Sequence, residues 1–198
     1  MPSLANFLHT QLILKIPPPT SSFQSKTVIV TGANGGLGKE IVKHIVRLGA
    51  NKVIFACRSK ARGDGAKSGL EGTMKCDSKV IEVWELDLAS AASVKKFVDR
   101  AATLPRLDVL INNAGVGASR HKQVHGTEST LGINVIGTFL LAVQLIPKLR
   151  ETAQKYETSP HMTFVGSALY DIAKYPANHG DDVFEWFSDE THFDHHNQ

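Results

Sequence analysis

The sequence predicts an α/β fold built on a doubly wound parallel sheet with helices on both faces (three layers, α/β/α). Three observations carry this. From Lys26 onward, short β-branched runs alternate with longer stretches of helical periodicity, as repeated βαβ units require. The first such run leads at once into a glycine-rich turn and then an amphipathic stretch, the order found where a dinucleotide binds. At 198 residues and 42% hydrophobic, the chain can bury one sizeable core, and no repeat or internal boundary divides it.

Each element can be justified in turn. Thr27-Val28-Ile29-Val30 reads as the first strand. Residues 37–48 form a helix, with Leu37, Ile41, Ile45 and Leu48 on one face and Gly49 as its stop. Val53-Ile54-Phe55-Ala56 is the second strand. Residues 58–79 are polar and hold four glycines, which predicts a weak helix with ill-defined ends. Val80-Ile81-Glu82-Val83-Trp84 is the third strand and precedes a helix over 91–103. Residues 107–111 are apolar and tightly bounded, as suits the buried middle of a parallel sheet. The longest helix covers 128–155, where Pro147 is expected to kink or break it. Met162-Thr163-Phe164-Val165 is the fifth strand. Residues 1–25 form an arm, 26–170 the dinucleotide-binding domain, and 171–198 a segment expected to be poorly ordered.

Charge and composition exclude several classes. A net charge of +3, with no Lys/Arg run longer than a pair, is not a nucleic-acid-binding surface. Cys57 and Cys76 sit at neither scaffold nor metal-ligand spacing, so free thiols in a reducing, cytoplasmic setting are expected. The apolar run from Leu12 to Ile16 is interrupted by Lys15 and closed by Pro17-Pro18-Pro19. It falls short of the roughly 20 residues a span needs, and no integral membrane segment is expected. His192, Asp194, His195 and His196 lie on a tail without a framework, so no metal site is expected.

The turn Thr31-Gly32-Ala33-Asn34-Gly35-Gly36-Leu37-Gly38 carries the functional signal. Glycines permit positive φ and close backbone approach, and the helix start offers bare amides and a positive dipole end to a diphosphate. A plain strand-to-helix turn explains the glycines equally well in isolation; their place in the chain favours the functional reading. A free ribose 2′-hydroxyl is usually held by a carboxylate about 20 residues beyond the glycines. Here the second strand ends Ala56-Cys57-Arg58-Ser59, with no acid and with a guanidinium suited to a 2′-phosphate. Ser59 could add a donor, and Lys60 and Arg62 further positive field. NADP(H) is therefore expected over NAD(H).

The T-G-x-x-x-G-x-G spacing resembles the turn of the short-chain dehydrogenase/reductase family, in the style of its fungal and retinol-dehydrogenase-like members. Three further matches follow in the family's order. Asp87 stands directly after the third strand, Asn112-Asn113-Ala114-Gly115 matches the N-N-A-G motif, and Asn134 within Gly132-Ile133-Asn134 matches the active-site asparagine. The resemblance covers residues 26–170 and implies a Rossmann-type fold. It implies that Thr31, Gly32, Asn34, Gly36, Leu37 and Gly38 face the pyrophosphate and that Asp87 holds the adenine amino group. Asn113, Ala114 and Gly115 would approach the adenosine and the nicotinamide ribose.

The family's chemistry uses a serine, a tyrosine and a lysine, with an asparagine ordering a relay water. Ser167, just past the fifth strand, matches the serine; a turn serine is the plainer alternative. Tyr170-Asp171-Ile172-Ala173-Lys174 spells Y-x-x-x-K, and a helix would place its ends on one face. Yet it follows Ser167 by only three positions, too few for the substrate loop that family members insert there. The match reads as coincidence. Residues 174–198, with Phe184, Trp186 and Phe187, resemble that loop instead. The chain is thus expected to stop before the Tyr-Lys helix and the last strands of the family fold, leaving the fifth strand's edge uncovered.

The resemblance implies an NADP(H)-dependent oxidoreductase interconverting a carbonyl and a secondary alcohol on a small hydrophobic molecule, with secondary metabolism as one setting. A homo-oligomer through the long helix is a candidate assembly. A catalytically inactive NADP(H)-binding or interaction module is the competing reading. A methyltransferase with a similar turn leaves the N-N-A-G and Asn134 matches unexplained.

Overall fold

A computed structural model describes residues 9–167 and 182–193. The strands are β1 (Thr27–Thr31), β2 (Lys52–Cys57), β3 (Ile81–Glu85), β4 (Val109–Asn112), the short pair β5 (Gln123–Val124) and β6 (Thr127–Glu128), and β7 (His161–Phe164). The helices are α1 (Gly36–Arg47), α2 (Lys60–Met74), α3 (Ala91–Ala102), α4 (Ser129–Tyr156) and α5 (Val183–Ser188). Five strands pair in parallel in the order β3-β2-β1-β4-β7. Strand order reverses across β1 and β4, so a crevice opens at their C-terminal ends, where open α/β sheets hold ligands.

β1 is buried at every position, and its alternate residues feed two cores. Ile29 joins Ile54, Trp84 and Leu110 under α3 (Val94, Phe97) and α4 (Leu141, Leu145, Leu149). Val28 and Val30 join Val53 and Phe55 under α1 (Val42, Ile45) and α2 (Leu70). Each fully buried side chain of this size stabilises the fold by about 1.5–3 kcal/mol before chain entropy is set against it. The sheet covered on both faces confirms the expected three-layer class.

Two elements differ from expectation. α2 is a well-bounded helix: the Ser59 hydroxyl caps its start and Lys75, at φ 51°, ends it in the left-handed conformation. Gly63 serves packing there, because a Cβ would press on Cys57 Sγ and the Val83 side chain. α4 runs through Pro147 without a break. The carbonyl deprived of a donor belongs to Val143, a residue 60% exposed, where water can satisfy it. The irregular turn falls earlier, as a π-turn over Gly132–Gly137.

α4 is long and apolar enough by composition to cross a membrane. Its apolarity is explained by the Leu141, Ala142, Leu145 and Leu149 face, which is buried in the core. β7 pairs with β4 and is exposed or half-buried along its length, with Phe164 stacked on Phe139 at 4.8 Å between ring centroids. The β5–β6 pair was not foreseen from sequence. It seats the 182–193 segment through Ser188, whose hydroxyl lies 2.8 Å from Thr127 Oγ1 and accepts the Glu128 amide. The Ser188 carbonyl lies 2.9 Å from His121 Nε2.

Candidate dinucleotide and active site

The site begins with a junction between β1 and β4. Thr31 is buried at the end of β1, and its hydroxyl accepts the amides of Asn113 (3.0 Å) and Ala114 (2.9 Å). Asn113 Nδ2 donates back to the Thr31 carbonyl at 2.9 Å. These bonds fix the N-N-A-G segment against the glycine turn across the crevice.

The turn leaves no room for side chains where backbone must meet backbone. Gly32, at φ 66°, donates its amide to Ala56 O, and a Cβ there would stand 2.9 Å from Ala114 Cα. A Cβ on Gly38 would strike Gly32 O and Asn113 Nδ2. Gly35 and Gly36, in contrast, face open space. Gly35 is the N-cap of α1 and supplies no side-chain acceptor to the helix start. A shallow cleft of about 390 Å3 lies before these amides, lined by Gly32, Asn34, Gly35, Leu37 and Asn113 to Gly115. The start of α1, with its positive dipole end, thus borders a cleft to which Gly32, Gly35 and Gly115 add no side chains, a geometry that fits a diphosphate.

Beside it lies a cavity of about 230 Å3 between the ends of β2 and β3. Arg58, Arg62, Asp87, Leu88, Val116 and Ile133 are among its lining residues. Asp87 keeps its loop in shape: its amide donates to Ser93 Oγ, and Oδ1 accepts the Ala89 amide at 3.0 Å. Arg58 is exposed and has no ion-pair partner among the described residues. Cys57 also lines this cavity, and burial pushes its thiol up, away from the thiolate.

On the other side of the glycine turn is a cavity of about 470 Å3. Ser167, Asn134, Leu37, Phe139 and Phe164 border it, together with the N-N-A-G backbone. Asn134 spans the gap between α4 and the β4 loop, its Oδ1 accepting Val116 N at 2.8 Å and its Nδ2 donating to Val116 O at 2.9 Å. Leu37 is 68% exposed and borders both the shallow cleft before α1 and this cavity. Thr31, Gly32, Asn34, Leu37, Arg58, Asp87, Asn113, Ala114, Gly115, Asn134 and Ser167 line three adjoining cavities that share the glycine turn and the N-N-A-G segment, while Gly36 and Gly38 lie in the turn itself and line none of them.

Tyr170 and Lys174 lie outside the described residues, as do Asp194, His195 and His196. His192 stacks on Trp186 at 4.2 Å, and among the described residues no group of three His, Cys, Asp or Glu could hold a metal. Leu88, Val116 and Ile133 escaped the sequence reading. Each stands next to a motif residue (Asp87, Gly115 and Asn134), and that adjacency is the signal the sequence offers.

Comparison with known proteins places the fold in a family. The family profile described as short chain dehydrogenase matches residues 26–156. The short chain dehydrogenase/reductase dmxR8 of Cryptosporiopsis sp. is 45% identical over 86% of this chain and 53% of its own length. The short-chain dehydrogenase anuD of Penicillium roqueforti is 39% identical over 87% of this chain and 46% of its own. The chain spans about half the length of the curated relatives it matches. Among solved structures, the Pseudomonas aeruginosa RhlG/NADP active-site complex superposes with a TM-score of 0.63 at 26% identity, over 78% of this chain and 59% of that one.

Proposed function

The chain belongs to the short chain dehydrogenase family, a family of nicotinamide-dependent oxidoreductases, and from that premise we propose that it binds NADP(H) in preference to NAD(H). The observation that carries the choice is Arg58, a permanent planar cation at the rim of the adenosine cavity, with no carboxylate at the end of β2. Arg62 lines the same cavity and adds to the positive field. Asp87 would take the adenine amino group on its remaining oxygen. Asn113, Ala114 and Gly115 would border the riboses, and the glycine-turn amides would meet the diphosphate.

The reaction proposed is the interconversion of a carbonyl and a secondary alcohol on a small hydrophobic molecule. The bound dinucleotide would supply or accept the hydride. Leu37, Phe139 and Phe164 give the cavity beside Ser167 an apolar wall suited to a hydrophobic substrate. Ser167 would donate a hydrogen bond to the substrate oxygen, polarising the carbonyl for reduction. Asn134, fixed by its two bonds to Val116, would orient a relay water from the irregular turn of α4. A cytoplasmic enzyme of secondary metabolism, assembling through the exposed face of α4 at Val143, completes this reading.

The competing reading is an NADP(H)-binding module without turnover, because the Y-x-x-x-K of Tyr170 and Lys174 follows Ser167 by only three positions. Fluorescence titration with NADPH, followed by a carbonyl panel monitored at the NADPH absorbance, separates the two. Binding with turnover supports the oxidoreductase; binding without turnover supports the module; no binding refutes both.

A further inference from the structure

The β5–β6 turn reaches toward the loop after β3, and one residue makes the contact. His125 Nε2 lies 2.8 Å from the backbone carbonyl of Leu88, a lining residue of the adenosine cavity and the immediate neighbour of Asp87. A carbonyl only accepts, so Nε2 is the donor in this bond. His125 and Gly126, at φ 55° and 78°, form the two-residue turn of this hairpin, where positive φ is the ordinary geometry, and the turn presents the imidazole to Leu88. Gly137, at the end of the π-turn of α4, also packs so closely on Leu88 that a Cβ would overlap the same carbonyl. The Leu88 carbonyl thus meets both a side-chain donor and tightly packed backbone.

Among the described residues, the loop's other hydrogen bonds run within it and to β2 and α3. Leu86 N donates to Cys57 O, Asp87 N to Ser93 Oγ, and Ser90 N to Asp87 O. His125 is the described side chain that ties the loop to the β5–β6 turn.

We infer that His125 is a positioning residue for the adenosine half of the dinucleotide, acting through the Leu88 carbonyl to set the Asp87-Leu88 segment in the cavity wall. This rests on the dinucleotide site proposed above and adds to it a residue that does not itself touch the ligand. The donor is what matters, so a side chain that keeps an N–H at similar reach should replace the imidazole.

The test titrates the full chain with 2′,5′-adenosine bisphosphate, which carries the adenosine end alone, and with NADPH. His125→Ala and His125→Gly remove the donor, and glycine suits the positive φ, so at least one variant folds with its turn intact. His125→Gln restores an N–H. The account expects both donor-less variants to bind 2′,5′-adenosine bisphosphate about fivefold to tenfold more weakly, with His125→Gln within about twofold of the parent. Parent-like binding by His125→Ala and His125→Gly overturns the inference and leaves the dinucleotide site intact. Loss in His125→Gln equal to theirs also overturns it, because the imidazole's bulk and not its donor would then be at work. If the parent chain binds neither ligand, the dinucleotide reading itself fails, and this inference with it.

Discussion

The hydroxyl of Thr31 accepts the amide of Ala114 at 2.9 Å, and this bond, with its twin to the Asn113 amide, fixes the width of the crevice between β1 and β4. Thr31→Val keeps the β-branched shape and deletes the acceptor for both amides. It should cost about 1–3 kcal/mol of stability by thermal or urea unfolding. NADPH affinity should fall at the same time, since the same amides frame the diphosphate cleft.

Gly32 should tolerate no side chain. Alanine there would meet Ala114 Cα at 2.9 Å in a conformation, φ 66°, that disfavours any Cβ. Gly32→Ala should lower NADPH affinity by at least about tenfold in a fluorescence titration. Gly35→Ala faces open space at extended backbone and should preserve the fold, which melting temperatures of the two variants would check.

The Lys52–Glu82 pair gives a pH signature. Lys52 Nζ donates to Glu82 Oε1 at 2.5 Å, Trp84 Nε1 donates to Oε2 at 3.0 Å, and together, with Lys52 foremost, they hold the Glu82 carboxyl below its ordinary value of 4.5. A depressed folded-state pKa stabilises the fold above the unfolded value and loses that stabilisation as pH falls through the folded one. Glu82→Gln should therefore cost about 0.5–1 kcal/mol at neutral pH, modest because the pair is partly solvated. Urea melts should show the gap between variant and parent closing below about pH 4.

Ser188 holds the 182–193 segment on the β5–β6 pair. Its replacement by alanine removes the acceptor for the Glu128 amide and the partner of the Thr127 hydroxyl. Hydrogen exchange at the Glu128 amide should accelerate by about tenfold, with β1 and β4 amides unchanged. Unchanged exchange at Glu128 would mean that the segment is not seated there.

What the sequence made legible follows from packing. β1 and β4 were readable because both are short apolar runs in the buried middle of the sheet, where both faces demand apolar residues. α2 was underrated because its glycines looked like breakers, whereas Gly63 makes room for Cys57 and Val83. The β5–β6 pair was invisible, since strands of two residues carry no periodicity. In the site, glycines and the N-N-A-G segment could be read because their function is backbone geometry, which leaves a mark on residue type. Leu88, Val116 and Ile133 offer the cavity only apolar surface, which many residues could supply. His125 acts through a carbonyl contact created by a turn 37 residues away, and no local pattern encodes that.

Preference for NADP(H) rests on Arg58 standing where a 2′-phosphate would bind. Calorimetric titration of the parent chain and of Arg58→Ala with NADPH and with NADH tests it most directly. The parent should bind NADPH at least about tenfold more tightly than NADH, and Arg58→Ala should lose most of that preference while keeping its affinity for NADH. Equal affinities in the parent, or a preference that survives in Arg58→Ala, would contradict the account.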